Sequence, residues 1–177
     1  LAVVVPITLV TIVLLLFLNF RHLGEVLIIL GTLPTALVGG IWLLYLLDYD
    51  VSVAVGVGFI ALAGVAIEIG VVMLVYLKQA LKQEQQRAAE NGRSLQREDL
   101  DRAVREGALM RLRPIMMTVA TIVVGLLPIM LGDGTGSEVM RRIAAPMVGG
   151  MISATVLTLA LIPAIFLIWQ DRRLPKA

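Results

Sequence analysis

Glu68 lies in the stretch GFIALAGVAIEIGVVMLVYL, residues 58–77, as its only Asp, Glu, Lys, Arg or His. A carboxylate in hydrocarbon is costly, about 3 kcal/mol at a helix centre on insertion scales. The apolar surroundings favour the protonated form over the charged one. Such a group can take a proton from one side of a membrane and release it to the other. The alternative is a protonated Glu making one structural hydrogen bond between helices. Gly64 and Ala61 stand at i−4 and i−7 from Glu68. Small residues on that face admit a second helix closely, so Glu68 is expected to face protein or a narrow polar cavity rather than lipid.

Two further sets of side chains have chemistry to offer. Met140, Met147 and Met151 are spaced i, i+7, i+11, on one helical face. Thioethers are soft ligands for monovalent copper or silver, although Met also fills gaps between packed helices. Thr118, Thr121, Ser153, Thr155 and Thr158 carry hydroxyls that could extend a proton path between helices or bond back to their own helix. Other chemistries find no support. There is no Cys, hence no disulfide framework and no thiolate metal site. The GxG of VGVGFIALAG lies inside an apolar run with no preceding strand, unlike a nucleotide loop. GDGTGSE is too short for a calcium loop and reads as a turn. His22 beside Arg21 reads as solvated. No Ser/His/Asp set, zinc spacing or basic–aromatic surface is present, so hydrolysis and nucleic-acid binding are not expected, and no cofactor is.

The elements that hold these residues follow from hydropathy. The chain is 59% hydrophobic and 16% charged, with mean hydropathy +0.94. Soluble domains are about 45–50% apolar and about 25% charged. The excess forms runs of bilayer-crossing length, roughly 20 residues: Leu1–Phe20, Val26–Leu47, Val51–Leu77, Pro114–Leu131 and Ile143–Trp169. The predicted fold is an all-α, polytopic transmembrane bundle of five spans plus an interfacial amphipathic helix. Residues 1–77 hold the first three spans, 78–113 a charged connection, 114–169 the last two spans and 170–177 a tail. Of the fifteen Lys and Arg, thirteen fall in the connections of one side and two, Arg141 and Arg142, on the other. The positive-inside rule then places the 78–113 connection and the C-terminus in the cytoplasm and the N-terminus outside. An exported first end without a basic leader is expected to follow upstream sequence.

Within the connection, YLKQALKQEQQRAAENG is expected to continue the third span as a polar helix that stops at Gly92. A second helix restarts in SLQREDLDRAVREGALMRLRP, with Leu100, Val104 and Ala108 on one stripe. Its acids Glu98, Asp99 and Asp101 precede its bases Arg111 and Arg113, which suits the helix dipole. The stripe predicts a helix lying along the membrane surface, and Pro114 suits the first turn of the fourth span.

Read together, GFIALAGVAIEIGVVMLVYL, RLRPIMMTVATIVVGLLPIM, GDGTGSEVMRRIAAPMVGGMISATVLTLALIPAIF and ALVGGIWLL resemble the heavy-metal efflux branch of the resistance-nodulation-division transporters. The similarity is greatest to the copper/silver subgroup of inner-membrane pumps. The resemblance runs through nearly the whole chain and implies spans eight to twelve of a longer, twelve-span protomer. It implies a homotrimer that works with a periplasmic adaptor and an outer-membrane channel. On it, Glu68 matches a tenth-span proton-relay Glu. Met140 matches a methionine that passes metal along; Met147 and Met151 match family residues without assigned roles. One position departs. The subgroup carries a Lys where RPIMMT has Ile115, so the relay either runs without that cation or is altered, and Glu68 is expected to be harder to ionise. The implied function is proton-driven export of Cu(I) or Ag(I). Divalent zinc, cobalt or nickel export, or a non-transporting fragment or scaffold, remain the alternatives.

Overall fold

Long apolar runs in a bilayer must satisfy their own backbone hydrogen bonds, and a helix does so within one segment. The computed structural model describes residues 3–171, except the side chain of Val5. It contains six helices: α1 (Val4–Phe20), α2 (Leu23–Leu30), α3 (Thr32–Leu46), α4 (Val53–Glu90), α5 (Arg97–Leu131) and α6 (Ser137–Asp171). No strand occurs among the described residues. α2 and α3 together form one apolar crossing, Leu23–Leu46, so all five expected apolar runs are helical. Four are long enough to cross a membrane, and Pro6–Phe20 is a shorter apolar helix. Of the expected tail, residues 172–177 lie outside the described residues.

The break between α2 and α3 has a local cause. Pro34 lacks an N–H, and its ring crowds the carbonyl of Leu30. The helix is interrupted at Gly31. Threonine hydroxyls bond nearby backbone carbonyls: Thr32 Oγ1 donates to Ile29 O at 2.7 Å, and Thr35 Oγ1 to Thr32 O at 2.6 Å.

α6 lies at the centre of the bundle, against α3, α4 and α5. Its approach to α3 is set by glycine. A Cβ on Gly149 would stand 2.5 Å from the Gly39 carbonyl oxygen, and one on Gly150 would meet the Leu62 side chain. Leu62, Ala66, Ile69, Ile115, Met151 and Ala154 close a core between α4, α5 and α6.

The connection departs from expectation in an informative way. As predicted, α4 stays helical to Glu90, and Gly92 adopts φ 65. The Gly92 N–H donates to Ala89 O and that of Arg93 to Ala88 O, the paired bonds of a Schellman cap. The second helix, however, does not end at Pro114. α5 is continuous from Arg97 to Leu131 with Pro114 inside it. The apolar stripe has a better partner than lipid headgroups: Leu100, Ala103 and Val104 pack on Leu77, Ala80 and Leu81 of α4. A Cβ on Gly107 would lie 3.2 Å from Leu77 Cα. The connection is thus an antiparallel helical hairpin that extends the two spans. Arg111 and Arg113 sit in mid-helix, so the dipole pairing read from the sequence does not arise.

Buried acids tie the hairpin. The Arg93 guanidinium donates to both Asp99 carboxylate oxygens, at 2.7 and 2.9 Å, and the Gln96 N–H donates at 3.0 Å. Glu84, equally buried, pairs with Arg87 and with Arg102. The Arg93 hydrogen bonds, then that of Gln96, hold the Asp99 carboxyl below its ordinary 3.8.

Two outcomes are expected. Gly149→Ala forces a methyl group onto the α3 backbone and should lower the melting temperature in detergent, at a cost of about 1–3 kcal/mol. Gly56→Ala, with open space around it, should not; equal melting temperatures would remove the close-crossing account. Because the folded value for Asp99 lies below 3.8, its stabilisation is complete above that value and is lost as pH falls through the folded one. Hydrogen exchange in residues 88–100 should therefore accelerate, beyond its intrinsic pH dependence, on going below about pH 4. Asp99→Asn should abolish that extra acceleration.

Candidate functional site

Glu68 projects from α4 where α5 runs beside it. It lines a cavity of about 80 Å³ together with Val65, Ile69, Arg111, Ile115 and Thr118. The helical repeat explains the grouping: Arg111, Ile115 and Thr118 follow one another at i, i+4, i+7 on α5. Two residues singled out in the sequence, Glu68 and Thr118, are therefore brought together, and so is the position of the missing Lys.

That position has no polar role. Ile115 is 5% exposed and packs in the core with Ile69 and Val119. A cation does line the cavity, one turn earlier: Arg111. Its Cζ stands 4.7 Å from the centroid of the Tyr76 ring, a cation–π distance. Its Nε is buried without a hydrogen-bond partner. An unmet buried donor costs about 1–3 kcal/mol. The spacing from Ile115 back to Arg111 was the available signal. It was masked because Arg111 was counted among the interfacial charges of a helix that ended at Pro114.

Glu68 forms no ion pair among the described residues. Its outer side is open: Glu68 and Gly64 are both exposed, and a Cβ on Gly64 would meet nothing within 4 Å. The small-residue face expected to receive another helix is present, and no helix of this chain occupies it. Glu25, a second acid in an apolar setting, behaves differently. It falls inside α2, is 2% exposed, and accepts from Lys78 Nζ at 2.9 Å.

The hydroxyls mostly bond to their own helices. Thr118 donates to Pro114 O at 3.1 Å, Thr121 to Met117 O at 2.8 Å and Thr155 to Met151 O at 2.6 Å. Ser153 alone of the five reaches across, with its Oγ 3.3 Å from Thr35 O on α3 as well as 3.1 Å from Gly150 O. Thr158 Oγ1 is buried with no partner.

The methionine stripe divides by depth. Met140 is 54% exposed near the start of α6. It lines a cavity of about 430 Å³ with Gly132, Asp133 and Thr135. The neighbouring turn is fixed by Arg141, whose side chain donates to Gly132 O and pairs with Asp133. Met147 is half-buried, and Met151 is closed in the core. No cluster of three His, Cys, Asp or Glu side chains suited to a metal occurs among the described residues.

The model of the AcrB/AcrD/AcrF family matches residues 1–170. The Cation efflux system protein CusA of Escherichia coli (strain K12) is 54% identical over 173 residues, covering 97% of this chain and 16% of its own length. The Putative cation efflux system protein SilA of Salmonella typhimurium has the same identity and coverage. The Cobalt-zinc-cadmium resistance protein CzcA of Cupriavidus metallidurans is 40% identical over 166 residues, 94% of this chain and 14% of its own. A crystal structure of a heavy metal efflux pump superposes with a TM-score of 0.79 at 37% identity, covering 97% of this chain and 15% of that one. The chain thus spans about a sixth of the length of the curated relatives it matches, 16% of CusA.

Proposed function

This chain belongs to the AcrB/AcrD/AcrF family, in its heavy-metal efflux branch, and from that premise we propose that it is the proton-coupling transmembrane part of a pump exporting Cu(I) or Ag(I). It is a multi-pass inner-membrane protein. In the proposed orientation the N-terminus is periplasmic and the α4–α5 hairpin and C-terminus are cytoplasmic, following the Lys and Arg distribution. The working pump is proposed as a homotrimer joined to a periplasmic adaptor and an outer-membrane channel.

The observation that carries the reading is the cavity shared by Glu68 and Arg111. With Glu68 ionised, the carboxylate and guanidinium attract across the cavity they share. With Glu68 protonated, that attraction is gone and Arg111 returns to Tyr76. Each unit of difference in proton affinity between two conformations biases them by about 1.4 kcal/mol. One charge crossing 100 mV contributes about 2.3 kcal/mol. A single carboxyl is therefore enough to shift a two-state bundle by one or two orders of magnitude. The continuous α5 carries the change in both directions from the cavity. Thr118, its hydroxyl beside the cavity, positions or passes the proton.

Metal handling is assigned to Met140, whose thioether is accessible at the external end. Met147 and Met151 are not assigned a ligand role, because Met151 is enclosed by packing. Both metals and protons are transported species; no resident cofactor is proposed. A second reading, divalent export, is favoured by Ile115 in place of Lys. The higher identity to CusA and SilA than to CzcA favours the monovalent one.

In the whole protein carrying this sequence, reconstituted into vesicles with a pH gradient, Glu68→Gln and Arg111→Ala should each reduce metal transport by roughly 100-fold or more with protein abundance unchanged. Arg111→Lys should retain part of it. Full transport by Glu68→Gln would leave that residue as helix glue and end the coupling account; running the assay with Cu(I), Ag(I), Zn(II), Co(II) and Ni(II) separates the two substrate readings.

A further inference from the structure

A second cavity, of about 570 Å³, opens far from the Glu68 site, where α1, α2, α4 and α6 all pass from apolar to polar sequence. α1 ends at Phe20, α4 changes character between Leu77 and Lys78, and α6 reaches Trp169 just before Gln170 and Asp171. This common level, with its indole, marks the headgroup plane of a bilayer. The Trp169 ring is packed close: a Cβ on Gly24 would stand 3.2 Å from its Cζ2.

The wall of the cavity is a finished ion pair. Lys78 is held 2.9 Å from the buried Glu25 carboxylate and 5.6 Å from the centre of the Phe20 ring. Its charge is spent on Glu25. Lys82, one turn further on α4 and exposed, lines the same cavity and makes no ion pair among the described residues. His22 and Gln85 add donors around it. The site therefore has a net positive charge and hydrogen-bond donors at headgroup depth. Its apolar side is continuous with α1, which exposes Leu14, Leu15 and Leu18. A cationic head with an open apolar flank fits a molecule that is anionic at one end and aliphatic at the other.

We propose that this cavity binds the phosphate-bearing headgroup of an anionic phospholipid, with Lys82 as the principal charge contact and the acyl chains along α1. In the orientation proposed above, the lipid comes from the cytoplasmic leaflet. The inference does not depend on the role of Glu68, and its test reads binding rather than transport. Basic pockets between spans are general sites for such headgroups, each exposed Lys or Arg contributing roughly a 5-fold gain in affinity.

The test is native mass spectrometry of the detergent-purified protein carrying this sequence, titrated with phosphatidylglycerol or phosphatidylcholine. Lys82→Gln should weaken phosphatidylglycerol binding about 5-fold and leave phosphatidylcholine binding unchanged. Lys82→Arg should bind phosphatidylglycerol as the parent does. Because Lys82 is exposed, its replacement leaves packing intact, which an unchanged melting temperature verifies. Equal phosphatidylglycerol binding by the parent and Lys82→Gln overturns the proposal. Displacement of the lipid by millimolar inorganic phosphate also overturns it, in favour of a site for the free anion.

Discussion

Hydrocarbon offers a carboxyl group little water, and two acids of this bundle lie among apolar helices under that constraint. The two acids set in apolar surroundings meet it in opposite ways. Glu25 is buried, and Lys78 neutralises it at 2.9 Å; removing either partner would strand the other. Glu68 has no partner within ion-pair distance among the described residues, and shares a small cavity with a guanidinium that has a donor to spare. A closed pair is a structural solution. An open pair, in the function proposed, is the device that does work, because its occupancy by a proton alters the attraction.

The rest of the fold keeps that device in place while leaving one side of it free. Glycines at the α3–α6 crossing bring backbones together so closely that no side chain fits between them. This gives α4 and α5 a rigid surface to lie on. α5 then runs unbroken for 35 residues, about 52 Å at the helical rise, from the α4–α5 hairpin past the cavity to the turn before α6. Pro114 removes one backbone bond without ending the helix, because the apolar stripe N-terminal to it is anchored on α4. A shift at Glu68 therefore has a stiff element to act through. The exposed Gly64 face leaves room for a further helix of the longer proteins to which the chain is similar.

The parts that depend on hydropathy were legible in the residues themselves: five crossings, an all-α bundle, Gly92 as a helix stop and Glu68 as the group most in need of explanation. What was not legible depends on which surface an amphipathic stripe chooses. Leu100 and Val104 fit a membrane surface and a neighbouring helix equally well by period, and only the matching stripe on α4 decides for the helix. That choice hid Arg111, since a charge assigned to the interface is not sought in a cavity. Glu25, at the edge of the apolar run Val26–Leu47, drew no attention because its partner, Lys78, lies 53 positions away. The methionine spacing identified a face correctly but not depth, which separates exposed Met140 from enclosed Met151.

Infrared difference spectroscopy on the whole membrane-embedded protein, stepped through its working pH range, measures the central quantity directly. A protonated carboxyl band should appear and vanish within that range, shift when metal is added, and be absent from Glu68→Gln. A Glu68 band that neither appears nor disappears across the range would show a group fixed in one state and contradict the account.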